Sequence, residues 1–177
     1  MLHRKNDQFY RMKKIFYVLK MLTIGLTWKM FRTLISKPLL ILPTIWATIQ
    51  SVMYAEFNFQ EAHGGNGIAN AFRHAAWNLL IAKNSSFFTS DEKAVEWAKF
   101  VTDMHEECFP NEPFDHHMDL HNNAIGRKIF LELKSKGVVK TREMIAYLVK
   151  FSETGVGLTQ VEEMSNHPEN LVYYREK

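Results

Sequence analysis

Residues 68–83 read IANAFRHAAWNLLIAK, and both the apolar and the polar residues of this stretch recur with helical spacing. Asn70, Arg73, His74, Trp77 and Asn78 stand at i, i+3, i+4, i+7 and i+8, which places them on one face of a helix. A solvated face normally carries Lys, Glu and Gln, whereas these are directional hydrogen-bonding groups. The stretch therefore predicts a helix with an apolar core side and a polar functional side, although an ordinary surface stripe is the alternative.

The same periodicity extends in both directions from this helix and predicts a single all-α domain of about six to eight helices. No stretch alternates polar and apolar residues with the period of a strand. Two Thr-x-x-Glu sequences, at Thr89 and Thr159, have the pattern of a capping box at a helix start. The expected helices cover residues 8–35, 39–58, 68–83, from about 89 to 108, 117–136, 141–151 and 159–165.

Charge divides the chain at residue 37. Residues 1–37 contain nine Lys or Arg and one acid, Asp7, whereas the rest contains 13 bases and 18 acids. We expect a basic amphipathic arm over 1–37 and one helical domain over 38–177, with the site region at 66–130. We expect residues 8–35 to form an amphipathic helix laid over the domain, with contact to an anionic membrane surface as the alternative. The bases of the arm alternate with large apolar residues instead of forming a compact patch, which argues against nucleic-acid binding.

An uncharged stretch of 18 residues, Pro38 to Ala55, raises the question of a membrane span. A spanning helix needs about 20 predominantly apolar residues, and Pro43, Thr44, Thr48, Gln50 and Ser51 interrupt this one. Pro43 fits near a helix start. We therefore expect a core helix here, and a cytoplasmic or peripheral-membrane location rather than a single-pass anchor. The single cysteine, Cys108, excludes an intramolecular disulfide framework.

Two further helices carry polar stripes. Thr102, His105 and Glu106 are spaced i, i+3 and i+4, and this His-Glu pair suits a base with its neighbour or two metal ligands. An ordinary exposed pair is the alternative for it.

The second stripe consists of Asp119, Asn122, Asn123 and Gly126, at i, i+3, i+4 and i+7. Asp and Asn are poor helix-interior residues, and such local conflict is expected at functional sites. A buried polar network that only fixes helix register is the alternative here.

A histidine group, His116, His117 and His121, resembles a metal cluster at first sight. His117 and His121 lie about 160–200° around the helix from Asp119. We therefore interpret the three as surface residues, with a secondary metal site as the alternative.

Three sequence blocks together resemble a bacterial family of domains of unknown function. They are Asn70-Ala-Phe-Arg-His-Ala-Ala-Trp77, His105-Glu106, and Met118-Asp-Leu-His-Asn-Asn-Ala-Ile-Gly-Arg127, and the family pattern reads N-A-F/Y-R-H-x-x-W, H-E and M-D-L-x-N-N-x-x-G-R. The resemblance covers residues 66–130. It implies relatives among small Bacteroidetes-type proteins and among C-terminal modules of secreted toxin-like proteins. For some members, it therefore implies an enzymatic or toxic activity, but no reaction.

These residues favour a small hydrolase whose site lies on three helices. The candidate catalytic residues, which are also the candidate ligands of a zinc-like divalent metal, are His74, His105, Glu106 and Asp119. The candidates for substrate binding or support are Asn70, Arg73, Trp77, Asn78, Asn122, Asn123 and Arg127. Metal-dependent and metal-free acid–base chemistry both fit this set. The alternative is a non-enzymatic helical binding domain with a structural polar network. Neither Ser nor Cys stands in a nucleophile motif, which disfavours covalent catalysis.

Overall fold

The computed structural model describes residue 32 and residues 35–59, 67–109 and 112–175. Five α-helices and one 3₁₀-helix make up most of this part of the chain, which confirms the predicted all-α fold. The elements in order are α1 Pro38–Asn58, α2 Ile68–Ser85, α3 Asp91–Cys108, α4 Pro113–Ser135, α5 Thr141–Ser152, β1 Val156–Leu158, the 3₁₀-helix Val161–Asn166 and β2 Val172–Tyr174. The expected helix over 8–35 lies almost wholly outside the described residues, as does the arm.

Several helices begin at residues other than the predicted ones, for local reasons. Helix α1 begins at Pro38 because a proline needs no amide hydrogen at the first helical position, so Pro43 lies inside the helix and not near its start. Ser90, not Thr89, caps α3, since its hydroxyl accepts the amide hydrogen of Lys93. Helix α4 begins at Pro113, four residues earlier than predicted, again with the proline in its first turn. These shifts leave the faces of the helices unchanged.

The last capping box also lies one residue further along than predicted. Glu163 accepts the backbone amide hydrogens of Thr159 and Gln160, and the segment that it caps is a 3₁₀-helix instead of an α-helix. On either side of this turn, β1 and β2 form a two-stranded parallel sheet, with Val156 opposite Val172. Each strand has only three residues, which is too short for the alternation that a sequence pattern needs.

Helix α2 is the centre of the fold and is packed against α1, α3, α4 and α5. Residues Leu79 to Ala82 are fully buried, so this helix is apolar on nearly all sides near its C-terminal end. At the crossing with α4, Gly126 lies directly against the backbone of Ala75. A Cβ atom built on Gly126 would be 2.1 Å from the Ala75 carbonyl oxygen. The glycine therefore lets the two helices approach closely enough for their polar faces to interact.

Helix α1 is buried on one side only, and its buried side is the polar one. Thr44 and Thr48 accept hydrogen bonds from the indole nitrogens of Trp97 and Trp77, at 2.9 and 2.8 Å. Among the described residues, α1 is also the one helix long and apolar enough, by length and composition, to cross a membrane, and a third of its most apolar stretch is buried.

Candidate functional site

Three polar side chains from three helices meet in the interior. His74 comes from α2, Glu106 from α3 and Asp119 from α4, and each offers a ligand atom within 4.8 Å of the other two. We call these three residues the His–carboxylate cluster. Their side chains are 7%, 2% and 4% exposed. Such burial is uncommon for carboxylates, which are rarely enclosed unless something compensates their charge.

His74 lies between the two carboxylates. Its Nε2 atom is 3.3 Å from Asp119 Oδ1, and its Nδ1 atom is 3.8 Å from Glu106 Oε1. Neither His74 Nδ1 nor Glu106 Oε1 has a hydrogen-bond partner among the described residues, although both atoms are buried. A separation of 3.8 Å is too long for a hydrogen bond between them. Buried polar atoms are nearly always paired, so this pair needs an explanation.

Burial also changes the protonation of the cluster. It raises the pKa of Glu106 to about 8, with the charge of Asp119 acting in the same direction and that of Arg73 opposing it. For His74, burial lowers the pKa well below its usual value, and the nearby Arg73 guanidinium adds to this effect. At neutral pH, His74 is therefore a neutral imidazole and Glu106 holds a proton.

Asp119 is held in place by a chain of side chains on α2. Asn70 Nδ2 donates to Asp119 Oδ1 at 3.0 Å, and Arg73 in turn donates to the Asn70 oxygen. The same Arg73 nitrogen lies 3.4 Å from His74 Nε2. Burial lowers the pKa of Arg73, and the charges of Asp119 and Glu106 oppose that shift. Asn70 and Arg73, which the sequence pattern assigned to this face, thus position the cluster and balance its charge.

Residues one turn further along form a second group, which we call the amide cluster: Asn78, Thr102, Asn123 and Arg127. Asn78 Nδ2 donates to Asn123 Oδ1 at 2.6 Å and to the His74 carbonyl at 3.3 Å. Asn78 Oδ1 accepts from Arg127 at 2.7 Å and from Thr102 at 3.2 Å. Both hydrogens of this buried amide are therefore used, and its oxygen accepts from Arg127 and shares the single Thr102 hydroxyl hydrogen with the Ala98 carbonyl oxygen, which is 3.0 Å from Thr102. Among the buried side-chain atoms of this cluster, Asn123 Nδ2 is the one without a partner in the described residues. Asn123 also acts on His74, whose pKa it raises, so the two clusters are in contact.

Three other predicted residues bond or pack outside the His–carboxylate cluster, although a charge on His105 lowers the pKa of His74. His105 packs edge-on against Trp77, with ring centroids 5.1 Å apart, and burial lowers its pKa to about 4. Trp77 itself bonds to Thr48 of α1. Asn122 faces the small sheet, where it accepts the Val172 amide hydrogen at 3.0 Å and donates to the Val172 carbonyl at 2.8 Å. Asn122 therefore anchors β2.

His116 is the residue that sequence reasoning misplaced. Its Nδ1 atom lies 3.9 Å from Glu106 Oε2, the carboxylate oxygen that does not face His74. The prediction that these histidines lie away from the Asp119 face agrees with the other two. His117 is exposed, and His121 has its Nε2 atom 2.8 Å from the Asn170 carbonyl oxygen near the sheet. His116 is three residues before Asp119 and therefore shares its face. That spacing is the signal that identifies it.

Fold and site together define an all-α domain with a buried His–carboxylate cluster on three crossing helices. A family model described as a domain of unknown function (DUF6973) matches residues 31–156, a range that includes all of α1 to α5. The chain belongs to this family. No curated protein and no solved structure matches the chain.

Proposed function

We propose that the protein is a metal-dependent hydrolase in which His74, Glu106 and Asp119 bind one divalent cation. The observation that carries this proposal is the pair of buried, unpartnered atoms His74 Nδ1 and Glu106 Oε1, which face each other at 3.8 Å. A nitrogen and an oxygen that share a cation do not bond to each other, and each satisfies its lone pair on the ion.

The size of the cluster supports the same conclusion. A point equidistant from three atoms that are 4.8 Å apart lies about 2.8 Å from each, and 4.8 Å is the upper limit here. Zinc binds nitrogen and oxygen ligands at about 2.0–2.2 Å. Side-chain movements of about an ångström would bring three such atoms to these distances, and Asp119, whose Oδ1 atom faces the other ring nitrogen, Nε2, at 3.3 Å, would have to turn towards Nδ1. An imidazole with two carboxylates is a donor set that zinc and similar divalent metals accept.

The charge state of the cluster also suits a cation. A metal ligand must be a neutral imidazole or a deprotonated carboxylate, and the lowered pKa of His74 already provides the neutral ring. Glu106, with its pKa of about 8, holds a proton in the position where a cation would bind. Cation binding would displace this proton. The positive charge of the cation would then neutralise the negative charges of the two buried carboxylates.

Residues around the three proposed metal ligands would orient them, balance their charge and exchange protons with water. A divalent cation held by His74, Glu106 and Asp119 would supply Lewis acidity for hydrolysis. Asn70 fixes Asp119, Arg73 provides a positive charge beside the imidazole, and His116 approaches the outer oxygen of Glu106. His116 is also more exposed than the three cluster residues, with 36% of its side chain accessible, so it is the group best placed to exchange protons with water.

The resemblance to bacterial proteins and to modules of secreted toxin-like proteins favours an enzyme over a purely structural domain. We also propose a peripheral location, with the basic arm at an anionic membrane surface, because its charge suits such a surface.

A non-enzymatic binding domain is the second candidate, and the amide cluster favours it. The complete bonding of Asn78 is what a network that only locks helix register would have. In that case the His–carboxylate cluster is part of the same structural hydrogen-bond network. A metal-free acid–base site, the third interpretation of these residues, would keep Glu106 and His74 as its proton-transfer pair.

The test is the metal content of protein that is purified without chelator, together with hydrolysis of ester, phosphoester and amide substrates. We expect about one divalent ion per chain, and Asp119→Asn should release it while the protein stays folded, because the side chain keeps its shape and loses its charge. Glu132→Gln is the matched control: it makes the same charge change on α4, where Glu132 pairs with Lys136 at the surface, and should keep the ion.

Metal-free but fully active wild type would contradict the metal proposal and leave acid–base chemistry. An inactive, metal-free wild type in which Asp119→Asn chiefly lowers the free energy of unfolding, by about 3–5 kcal/mol, would favour the structural network.

A further inference from the structure

Helix α1 has its amphipathic pattern inverted. Its buried face is lined by small and hydroxyl residues, whereas its exposed face carries the large apolar ones. The buried set is Leu40, Thr44, Ala47, Thr48, Ser51 and Ala55. The exposed set, together with Ile35 just before the helix, is Leu39, Leu42, Ile45, Trp46, Met53 and Phe57. Leu42 and Phe57 are 75% and 79% exposed. A helix in water places these two sets the other way round.

The exposed residues form one line along the whole helix. Positions 35, 39, 42, 46, 53 and 57 fall within a sector of about 60° at 100° per residue, on the side opposite the buried threonines. Helix α1 has 21 residues, so the line is about 31 Å long at 1.5 Å per residue. A continuous exposed apolar stripe of this kind marks an interaction surface.

The loop between α2 and α3 extends the stripe at one end. Phe87 and Phe88 are 73% and 55% exposed, and Phe88 lines a cavity of about 490 Å³ together with Leu39 of α1. Lysines border this end of the stripe: Lys37 and Lys93 line the same cavity, and Lys83 has its Nζ atom 4.8 Å from the centre of the Phe87 ring. Apolar residues with lysines around them can insert between lipid tails while the amines remain at the headgroups.

We propose that α1 and the Phe87–Phe88 loop form a membrane-docking surface for anionic lipid, on which the protein lies without crossing the bilayer; this rests on the peripheral location proposed above. The charge of the neighbouring segment favours an anionic lipid bilayer over a second copy of the chain as the partner of this surface. The stripe follows directly on residues 1–37, which carry a net charge of +8. A second copy of the chain would bring two such segments together, whereas an anionic bilayer attracts them. The narrow width of the stripe fits docking, because the other side of α1 is fixed to α2 and α3 through Trp77 and Trp97.

The experiment measures co-sedimentation of the full chain with vesicles of phosphatidylcholine alone or with about one third phosphatidylglycerol. We expect binding to the anionic vesicles and at least tenfold weaker binding to the neutral ones. Leu39→Ser/Leu42→Ser/Trp46→Ser should weaken the anionic binding at least tenfold without lowering the unfolding midpoint. The matched control, Leu131→Ser/Val139→Ser, alters exposed apolar residues elsewhere and should bind like wild type.

A second measurement keeps the proposal testable if the triple variant does not fold. In a Trp28→Phe background, which removes the tryptophan of the basic arm, bromine-labelled lipid should quench the fluorescence of the protein, and adding Trp46→Phe should remove most of that quenching, because Trp77 and Trp97 are buried. Unchanged quenching in Trp46→Phe would overturn the proposal.

Unchanged vesicle binding of the triple variant would overturn it as well. So would a wild-type dimer that the triple variant converts to a monomer, since the stripe would then be a contact between copies. A triple variant that is less stable but binds lipid like the wild type would show that the exposed apolar residues of α1 contribute to folding and not to lipid binding, and would also overturn the proposal.

Discussion

Two polar layers lie one helical turn apart in the same three-helix interface, and they differ in how completely their atoms are bonded. In the amide cluster, Asn78 has a partner for every donor and acceptor. In the His–carboxylate cluster, His74 Nδ1 and Glu106 Oε1 have none among the described residues. The same helices and the same burial thus produce a nearly complete network, in which Asn123 Nδ2 is the one buried atom without a partner among the described residues, and an open one. The difference indicates that the first layer holds the helices together and that the second is arranged for something else to bind.

Separating the two helices should disrupt both layers and have the largest effect. Gly126→Ala would place a methyl group 2.1 Å from the Ala75 carbonyl oxygen, which α2 and α4 can avoid only by moving apart. We expect the free energy of unfolding to fall by about 3 kcal/mol or more, as measured by urea denaturation. Gly67→Ala is the control, since nothing lies within 4 Å of its added methyl group. A stable Gly126→Ala protein would mean that the close approach is not required.

Breaking the amide cluster alone should lower stability without affecting the other layer. Asn78→Ala leaves the polar groups of Arg127 and Asn123 without their partner in the interior. We expect a loss of about 2–3 kcal/mol in the free energy of unfolding and unchanged metal content in the protein that remains folded. If Asn78→Ala loses the ion as well as stability, the two clusters act as one unit, and the proposed difference between them is wrong.

The open layer should make stability depend on pH in a specific way. Glu106 keeps its proton in the folded chain up to about pH 8, whereas the unfolded chain loses it near the ordinary pKa of about 4.5. Its contribution is therefore complete below about pH 4.5 and is lost as the pH rises to about 8. His74 and His105 have lowered pKa values. Their contribution is complete above about pH 6.5 and is lost as the pH falls through their lowered pKa values, which for His105 is about 4.

These three groups predict that the metal-free protein is most stable near about pH 6.5. Between about pH 6.5 and 8 the free energy of unfolding should fall by about 2 kcal/mol, at about 1.4 kcal/mol per pH unit. Glu106→Gln has no proton to lose and should remove this decline. Chemical denaturation across the pH range, in the presence of chelator, measures this decline in the free energy of unfolding. A decline of equal size in wild type and Glu106→Gln would mean that Glu106 does not hold the proton.

The sequence predicted the helices and the polar faces because both follow the 3.6-residue period. His74, Glu106 and Asp119 could therefore be assigned to polar stripes from their spacing alone. The spacing did not predict that Asn78 and Asn123 form a separate layer, because that division depends on the rotation of α2 against α4 at the Gly126 contact.

The helical spacing also could not predict which residues form hydrogen bonds with the small sheet. Asn122 lies on the predicted stripe and yet bonds to Val172, in a strand too short to be recognised. The spacing of a helix fixes which residues share a face, whereas the partner of each residue depends on the elements that pack against that face.

The central claim is that the open layer binds a divalent cation, and the most direct test is the effect of Zn²⁺ on unfolding at about pH 8, where Glu106 begins to lose its proton. A cation that binds only the folded chain should raise the free energy of unfolding of the wild type by about 2.7 kcal/mol at about one hundred times its dissociation constant. Glu106→Gln should show no such increase, while Asn78→Ala should show the full increase from its lower baseline. An unchanged wild type, or an equal increase in Glu106→Gln, would contradict the claim.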